Sequence, residues 1–251
     1  MRVAVVQHDI VWEDAGATTA AIEPMIAAAA ADGARLVVLT EMFARGFSMN
    51  VDVVAEAPGG PTEAWMLRQA ASLGCWLVGS IPQRAPGSRP RNVAVLVSPA
   101  GQVHRYAKIH PFRPGREHEH YAAGSRFLTV DVEGVRISVF VCYDLRFADE
   151  FWALAPDTDC YVVLANWPAN RRDHWNVLLR ARAIENQAYV AAANRVGRGG
   201  GLDYVGDSVI VDPWGVDCTP ALDGEGIAAA QVDPARVAEI RAQHPYLADR
   251  R

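Results

Sequence analysis

The 251 residues contain no basic stripe, no CxxC pair, no Cys/His spacing of the kind that holds a metal, and no internal repeat or low-complexity linker. Each absence removes a class of function. Lys and Arg number 24 against 29 Asp and Glu, a formal charge of −5, whereas nucleic-acid binding normally needs a basic patch. The longest apolar runs, "MIAAAAA" and "AYVAAAN", fall far short of the roughly 20 residues of a membrane helix. The opening "MRVAVVQHDIVW" enters a strand at once. It lacks a secretory signal's longer apolar region and cleavage site. The cysteines, Cys75, Cys142, Cys160 and Cys218, are scattered, so a zinc site has no support. The expectation is a cytoplasmic protein with reduced thiols, with no metal, nucleic-acid or membrane partner.

Hydrophobic residues reach 51% and charged residues 21%, enough for a sizeable core. The length suits one large domain or two small ones. Short apolar runs alternate with helical patterns. Strands are expected at 3–7, 35–41, 75–81, twice within 91–109 around "SPAGQ", and at 135–141, 160–165, 188–193, 207–211 and 226–232. Helices are expected at 18–32, 62–73, 173–187 and 234–243. Pro24 should kink the first or mark a restart, and Gly33 should close it. Asp233 and Pro234 form a start signal for the last. Most strands are apolar nearly throughout. That pattern implies sheets covered by helices on one face and by another sheet on the other, a layered α/β sandwich.

Reactive residues stand at three strand ends. Cys142 closes "ISVFVC" and is followed by "YDLRF". A free cysteine there is ordinarily a small buried hydrophobe. The C-terminal ends of such strands, however, are where α/β sheets collect ligands, and a helix opening at "DLRF" would favour a thiolate. Glu41 ends "RLVVLTE", and a part-buried carboxylate suits proton transfer near neutral pH. Lys108 ends "VHRYAK", where a lysine is usually surface. Seven histidines (8, 104, 110, 118, 120, 174 and 244) leave a Cys–His pair open, but none sits in a context that singles it out.

Together these motifs resemble the nitrilase superfamily of carbon–nitrogen hydrolases. "LTEMF" is similar to its glutamate motif, "RYAKIHPF" to its lysine motif and "VCYDLRF" to its cysteine motif, in the family's order and spacing. "NWPANRRDHW", "RARAIENQAYVAAANRVG" and "GDSVIVDPWG" add to the match, which implies one domain over residues 1–251. The resemblance implies a four-layer αββα sandwich, a homodimer and no cofactor or metal. It makes Glu41 the general base, Lys108 the oxyanion cation, Cys142 the nucleophile and the Tyr143 backbone N–H a second oxyanion donor. A second glutamate falls within "REHEHYAAG", and spacing to Gly124 favours Glu117 over Glu119. The most similar branch is the ω-amidases, which hydrolyse the terminal amide of 2-oxoglutaramate and 2-oxosuccinamate.

Such substrates carry a carboxylate, so cationic partners are needed. Arg45, Arg113, Arg146, Arg171, Arg172 and Arg195 are candidates, with Tyr121, Asn166 and Trp167 as pocket walls. Arg146 and Arg171 are the favoured pair. Alternatives within the superfamily are an N-carbamoyl amide hydrolase, a deaminated-glutathione amidase or a nitrilase. Alternatives outside that chemistry are a non-catalytic dimeric protein on the same fold and a papain-type Cys–His hydrolase. The apolar-rich stretch 145–154 is the candidate dimer contact.

Overall fold

Strand β1 (Arg2–Gln7) explains the unbroken apolar runs in the sequence. Val3 and Val5 enter one buried cluster, while Ala4 and Val6 enter another. In β2 (Leu36–Val38), Leu36 and Val38 separate from Val37 in the same way. Side chains alternate across a strand. A strand buried on both faces must therefore be apolar at every position.

The computed structural model describes residues 1–250. The remaining strands are β3 (Trp76–Ala85), β4 (Ser88–Val97), β5 (Val103–Ala107), β6 (Thr129–Val132), β7 (Val135–Val141), β8 (Cys160–Ala165), β9 (Tyr189–Asn194), β10 (Val196–Gly199), β11 (Leu202–Val205), β12 (Val209–Val211) and β13 (Gly226–Gln231). One sheet has the order β13-β1-β2-β3-β4-β5 and the other β12-β9-β8-β7-β6. Each has a parallel centre, β1-β2-β3 and β7-β8-β9. Strands β10 and β11 form a separate ribbon.

The helices are α1 (Ala15–Ala31), the single turn α2 (Val51–Val54), α3 (Pro61–Leu73), the single turn α4 (Glu117–His120), α5 (Ala148–Leu154), α6 (Arg172–Asn186) and α7 (Pro234–Gln243). Ile22 and Ile26 of α1 and Trp65 and Met66 of α3 cover the outside of the first sheet. Phe151 of α5 and Trp175 and Leu179 of α6 cover the second. Val5, Leu36 and Leu96 meet Ile137 and Val139 between the sheets. The layers run αββα, as in the nitrilase-type sandwich expected from sequence.

Some boundaries moved for identifiable reasons. Helix α1 begins earlier than expected because Asp14 caps it, accepting the Ala17 N–H at 2.9 Å. Pro24 lies inside α1 without ending it, and the buried Ile22 and Ile26 on either side of it anchor the helix to the sheet. The last helix starts as expected, with the Asp233 side chain on the Ala235 N–H. The second strand stops at Val38, so Glu41 stands in the following turn rather than at the strand end. The ribbon β10-β11 was not foreseen. Gly197, Gly199 and Asp203 give it little strand character.

Candidate active site

Cys142 follows the last residue of β7 and Lys108 the last of β5. Instead of an α-helix, a five-residue 3₁₀ turn spans Cys142–Arg146. Cys142 has φ +47°, a left-handed conformation that costs a non-glycine residue of order 1–2 kcal/mol. Asp144 holds the turn in place. Its carboxyl accepts the Val141 N–H at 3.0 Å, the His110 N–H at 2.9 Å and the Tyr106 hydroxyl at 2.8 Å. Burial pushes Asp144 up to about 7, against the opposing pull of Lys108 and these three donors.

Glu41, Lys108 and Glu117 are all buried, each at most 1% exposed. Lys108 Nζ donates to Glu41 Oε1 and to Glu117 Oε2, both at 2.8 Å. Glu117 Oε2 also accepts the Phe112 N–H at 2.5 Å, and Glu41 Oε2 accepts the Asn166 N–H at 2.9 Å. Glu119, two residues on, is exposed and paired with Arg116 at 2.6 Å. Glu117 is therefore the glutamate the fold brings to the lysine.

Burial works against the Lys108 ammonium, but Glu117 and Glu41 outweigh it and hold the lysine charged. Burial raises Glu117, opposed by Lys108. Burial, reinforced by the charge of Glu41, holds the Cys142 thiol well above its usual range. The surroundings thus favour a neutral Cys142 thiol, rather than the thiolate expected from a helix start. It needs a base, and Glu41 adjoins it in the cleft.

The cleft above Cys142 is walled by Phe47, Phe112, Trp167 and Tyr204, with Tyr143, Asn166, Arg146 and Arg171 also on its lining. Asn166 donates Nδ2 to the Glu41 carbonyl at 2.6 Å, while its Oδ1 is buried without a partner among the described residues. Trp167 is fixed by its N–H to Asn194 Oδ1 at 2.7 Å and its indole N–H to the Arg171 carbonyl at 2.8 Å. The Arg146 guanidinium lies 4.7 Å from the Trp167 ring and that of Arg171 5.2 Å from Phe112. Neither arginine has a carboxylate partner among the described residues.

Other expected pocket residues are placed elsewhere. Tyr121 is buried, donates its hydroxyl to the Ser48 carbonyl at 2.7 Å, and lines a neighbouring cavity with Arg113. Arg45 pairs with Glu56 at 3.8 Å, Arg172 with Asp207 at 2.6 Å and Arg195 with Asp9 at 2.5 Å. No histidine lines the cleft among the described residues, which removes the basis for a papain-type pair. His110, Asp144 and Glu150 bring possible ligand atoms within 4.8 Å. His110 Nε2 already meets Glu150 at 2.6 Å and Asp144 is taken by its three donors, while Glu150 Oε2 is buried without a partner among the described residues. The sequence reading missed Asn92 and Ser80, which lie behind Glu41. Asn92 Nδ2 donates to Glu41 Oε1 at 2.8 Å, and Ser80 Oγ accepts the Met42 N–H at 2.7 Å. Their signal was present: a polar side chain on the buried face of an apolar strand needs a partner.

Residues 2–242 match the family model "Carbon-nitrogen hydrolase". The chain is 40% identical over 218 residues to the omega-amidase YafV of Escherichia coli, covering 86% of this chain and 82% of that protein. It is 36% identical over 222 residues to the 2-oxoglutaramate amidase of Bacillus subtilis, covering 86% and 85%. Among solved structures, a CN-hydrolase superfamily protein from Xanthomonas campestris, with an arsenic adduct in its active site, superposes with a TM-score of 0.93 at 37% identity. The match covers 100% of this chain and 97% of that one.

Proposed function

The chain belongs to the carbon–nitrogen hydrolase family, and we propose that it is an ω-amidase acting on 2-oxoglutaramate and 2-oxosuccinamate through a Cys142 thioester. It is a hydrolase of amides. The observation that carries the substrate is the pair Arg146 and Arg171. Both are half-buried on the lining of the cleft that holds Cys142, and neither has a carboxylate of its own among the described residues. A substrate carboxylate is the complementary charge. Arg45, Arg172 and Arg195 already have acidic partners.

The chemistry uses the buried floor. Glu41 takes the Cys142 proton as sulfur attacks the terminal amide carbon. The carbonyl oxygen becomes an oxyanion, stabilised by Lys108 Nζ and the Tyr143 N–H. Glu41 returns the proton to nitrogen, the C–N bond breaks and ammonia leaves. Water then gives a proton to Glu41 and attacks the thioester carbon. The C–S bond breaks, Glu41 reprotonates sulfur, and the 2-oxo dicarboxylate departs. Glu117 keeps Lys108 charged and aimed throughout. The unpartnered Asn166 Oδ1 offers an acceptor for the substrate NH₂.

The core shared by both sheets supports reading residues 1–251 as one domain. Exposed Trp152, Ile184, Trp214 and Val216 support a homodimer through the face of α5 and α6, and light scattering at micromolar concentration should give about twice 27.2 kDa. A monomer there contradicts it. A cytoplasmic location fits the reduced thiols, and no described helix is long and apolar enough to cross a membrane. The test of substrate is kcat/KM for 2-oxoglutaramate beside butyramide, an amide without a carboxylate. Strong preference for 2-oxoglutaramate is expected. Equal rates, or a preference for butyramide, would move the protein to another amidase branch.

A further inference from the structure

Two polar residues face the space between the sheets where their strands are otherwise apolar. Ser80 pairs across from Ala94, and Asn92 precedes Ala94 by two, so the three share one face. Ala94 and Leu96 on that face belong to the inter-sheet core. Asn92 is 1% exposed, and so is Ser80. Polar groups so buried are costly unless fully bonded.

Every polar atom of the Asn92 side chain is engaged. Oδ1 accepts the Ser80 hydroxyl at 2.8 Å. Ser80 Oγ in turn accepts the Met42 N–H at 2.7 Å, so its one hydrogen is free for Asn92. Nδ2 reaches Glu41 Oε1 at 2.8 Å and Glu117 Oε1 at 3.1 Å. The partners fix the amide's orientation. Turned over, its oxygen would face two carboxylates and its NH₂ would face the hydroxyl. The Asn92 carbonyl also accepts the Lys108 N–H at 2.9 Å. One residue therefore touches Glu41 and Glu117 through its side chain and Lys108 through its backbone.

Glu41 and Glu117 share one ammonium, Lys108, and the buried Asp144 carboxyl lies close enough to feel the same charge, so acidic groups outnumber the cation. Such a pair tends to bind a proton between them. A proton held by Glu41 would disable it as a base towards Cys142. We propose that Asn92 is a positioning residue whose two amide hydrogens, one to each glutamate, keep both carboxylates ionised beside the single Lys108. An aspartate of the same shape would still accept from Ser80. It would replace the two donors by a further acidic group, and the site would take up a proton at higher pH.

The inference rests on Glu41 acting as the base, so its test avoids the substrate. The rate of iodoacetamide alkylation of Cys142, followed by peptide mass spectrometry across pH, reads base-assisted removal of the thiol proton and separates Cys142 from the exposed Cys218. In Asn92→Asp, labelling at pH 7 should slow about tenfold and its midpoint should rise about one pH unit, one unit being a factor of ten. Asn92→Ala, which adds no charge, should shift the same way and carries the test if the aspartate variant does not fold. A folded variant with slower labelling and an unmoved midpoint would reduce Asn92 to a structural role. A wild-type rate and midpoint would overturn the inference outright. Glu41→Gln run in parallel distinguishes the underlying reading. If it labels as fast as the wild type or faster, as relief of the Glu41 charge on the thiol would allow, Glu41 is not the base and both fall. If it is slow while Asn92→Asp is normal, only the role of Asn92 falls. Labelling that behaves as expected in a protein inactive on 2-oxoglutaramate leaves Asn92 intact and removes only the substrate.

Discussion

At the floor of the cleft Lys108 has two carboxylate partners and is 1% exposed. At the lining above it Arg146 and Arg171 are half-buried and have no carboxylate partner among the described residues. The floor is a closed network in which Glu41, Asn92, Lys108 and Glu117 bond one another. The arginines rest instead on aromatic rings, Trp167 and Phe112, and Arg146 also donates to His174 Nδ1 at 3.1 Å. A satisfied network is rigid and indifferent to which amide arrives. A cation without an acidic partner is an opening for an anionic ligand. On the proposed mechanism, reaction falls to one region and selection to the other.

Substitutions on the floor should therefore lower turnover of every amide by the same factor. Glu41→Gln removes the proton carrier while keeping the shape. A loss in kcat of about 10³-fold is expected, within the 10²–10⁴ of general-base catalysis, and equal for 2-oxoglutaramate and butyramide. A loss confined to one substrate would break the division. Lys108→Met should cost about 10²–10³-fold in kcat by removing an oxyanion donor. It should also lower the melting temperature, because Glu41 and Glu117 would remain as buried unpaired charges.

Substitutions at the arginines should be smaller and selective. Arg146→Ala or Arg171→Ala should lower kcat/KM for 2-oxoglutaramate about 10–100-fold, mostly through KM, as expected for a charged hydrogen bond of roughly 1.5–3 kcal/mol. Butyramide should be affected far less. Equal losses on both would place the arginines in the structure of the cleft rather than in recognition.

A last effect concerns stability alone and leaves both regions' chemistry untouched. His8 is buried behind the floor, its Nδ1–H directed to the Asp9 carbonyl at 2.8 Å and Nε2 facing the Thr40 hydroxyl at 3.1 Å. Burial lowers it to about 4. The unfolded chain takes up this proton near 6.5 and the folded chain only near 4. Between those values the unfolded state binds more protons, so stability is present above the window and falls with pH through it, by roughly 3 kcal/mol at most. Urea unfolding of His8→Gln should show that part of the pH dependence missing. An unchanged slope would mean His8 does not contribute it.

The sequence made the floor more legible than the selecting face, for a physical reason. Cys142 and Glu41 close apolar runs and Lys108 ends a β-run, and reactive residues in such places are visible without a fold. Glu117 needed the resemblance to be separated from Glu119, because only burial distinguishes them and both lie in one polar stretch. Asn92 and Ser80 were readable in principle, as polar residues on the core face of β4 and β3, but their partners come from distant strands. Tyr121 lines the adjoining cavity with Tyr143, not the Cys142 cleft. Its hydroxyl is instead directed to Ser48, 73 positions away in the chain. The arginines could only be sorted once their acidic partners were seen.

Ammonia release from 2-oxoglutaramate by the purified protein, with Cys142→Ala beside it, tests the central claim most directly. Release by the wild type that vanishes in the variant is the predicted result. Release that survives the loss of Cys142 would contradict the nucleophile assignment, and no release by the wild type would contradict the substrate.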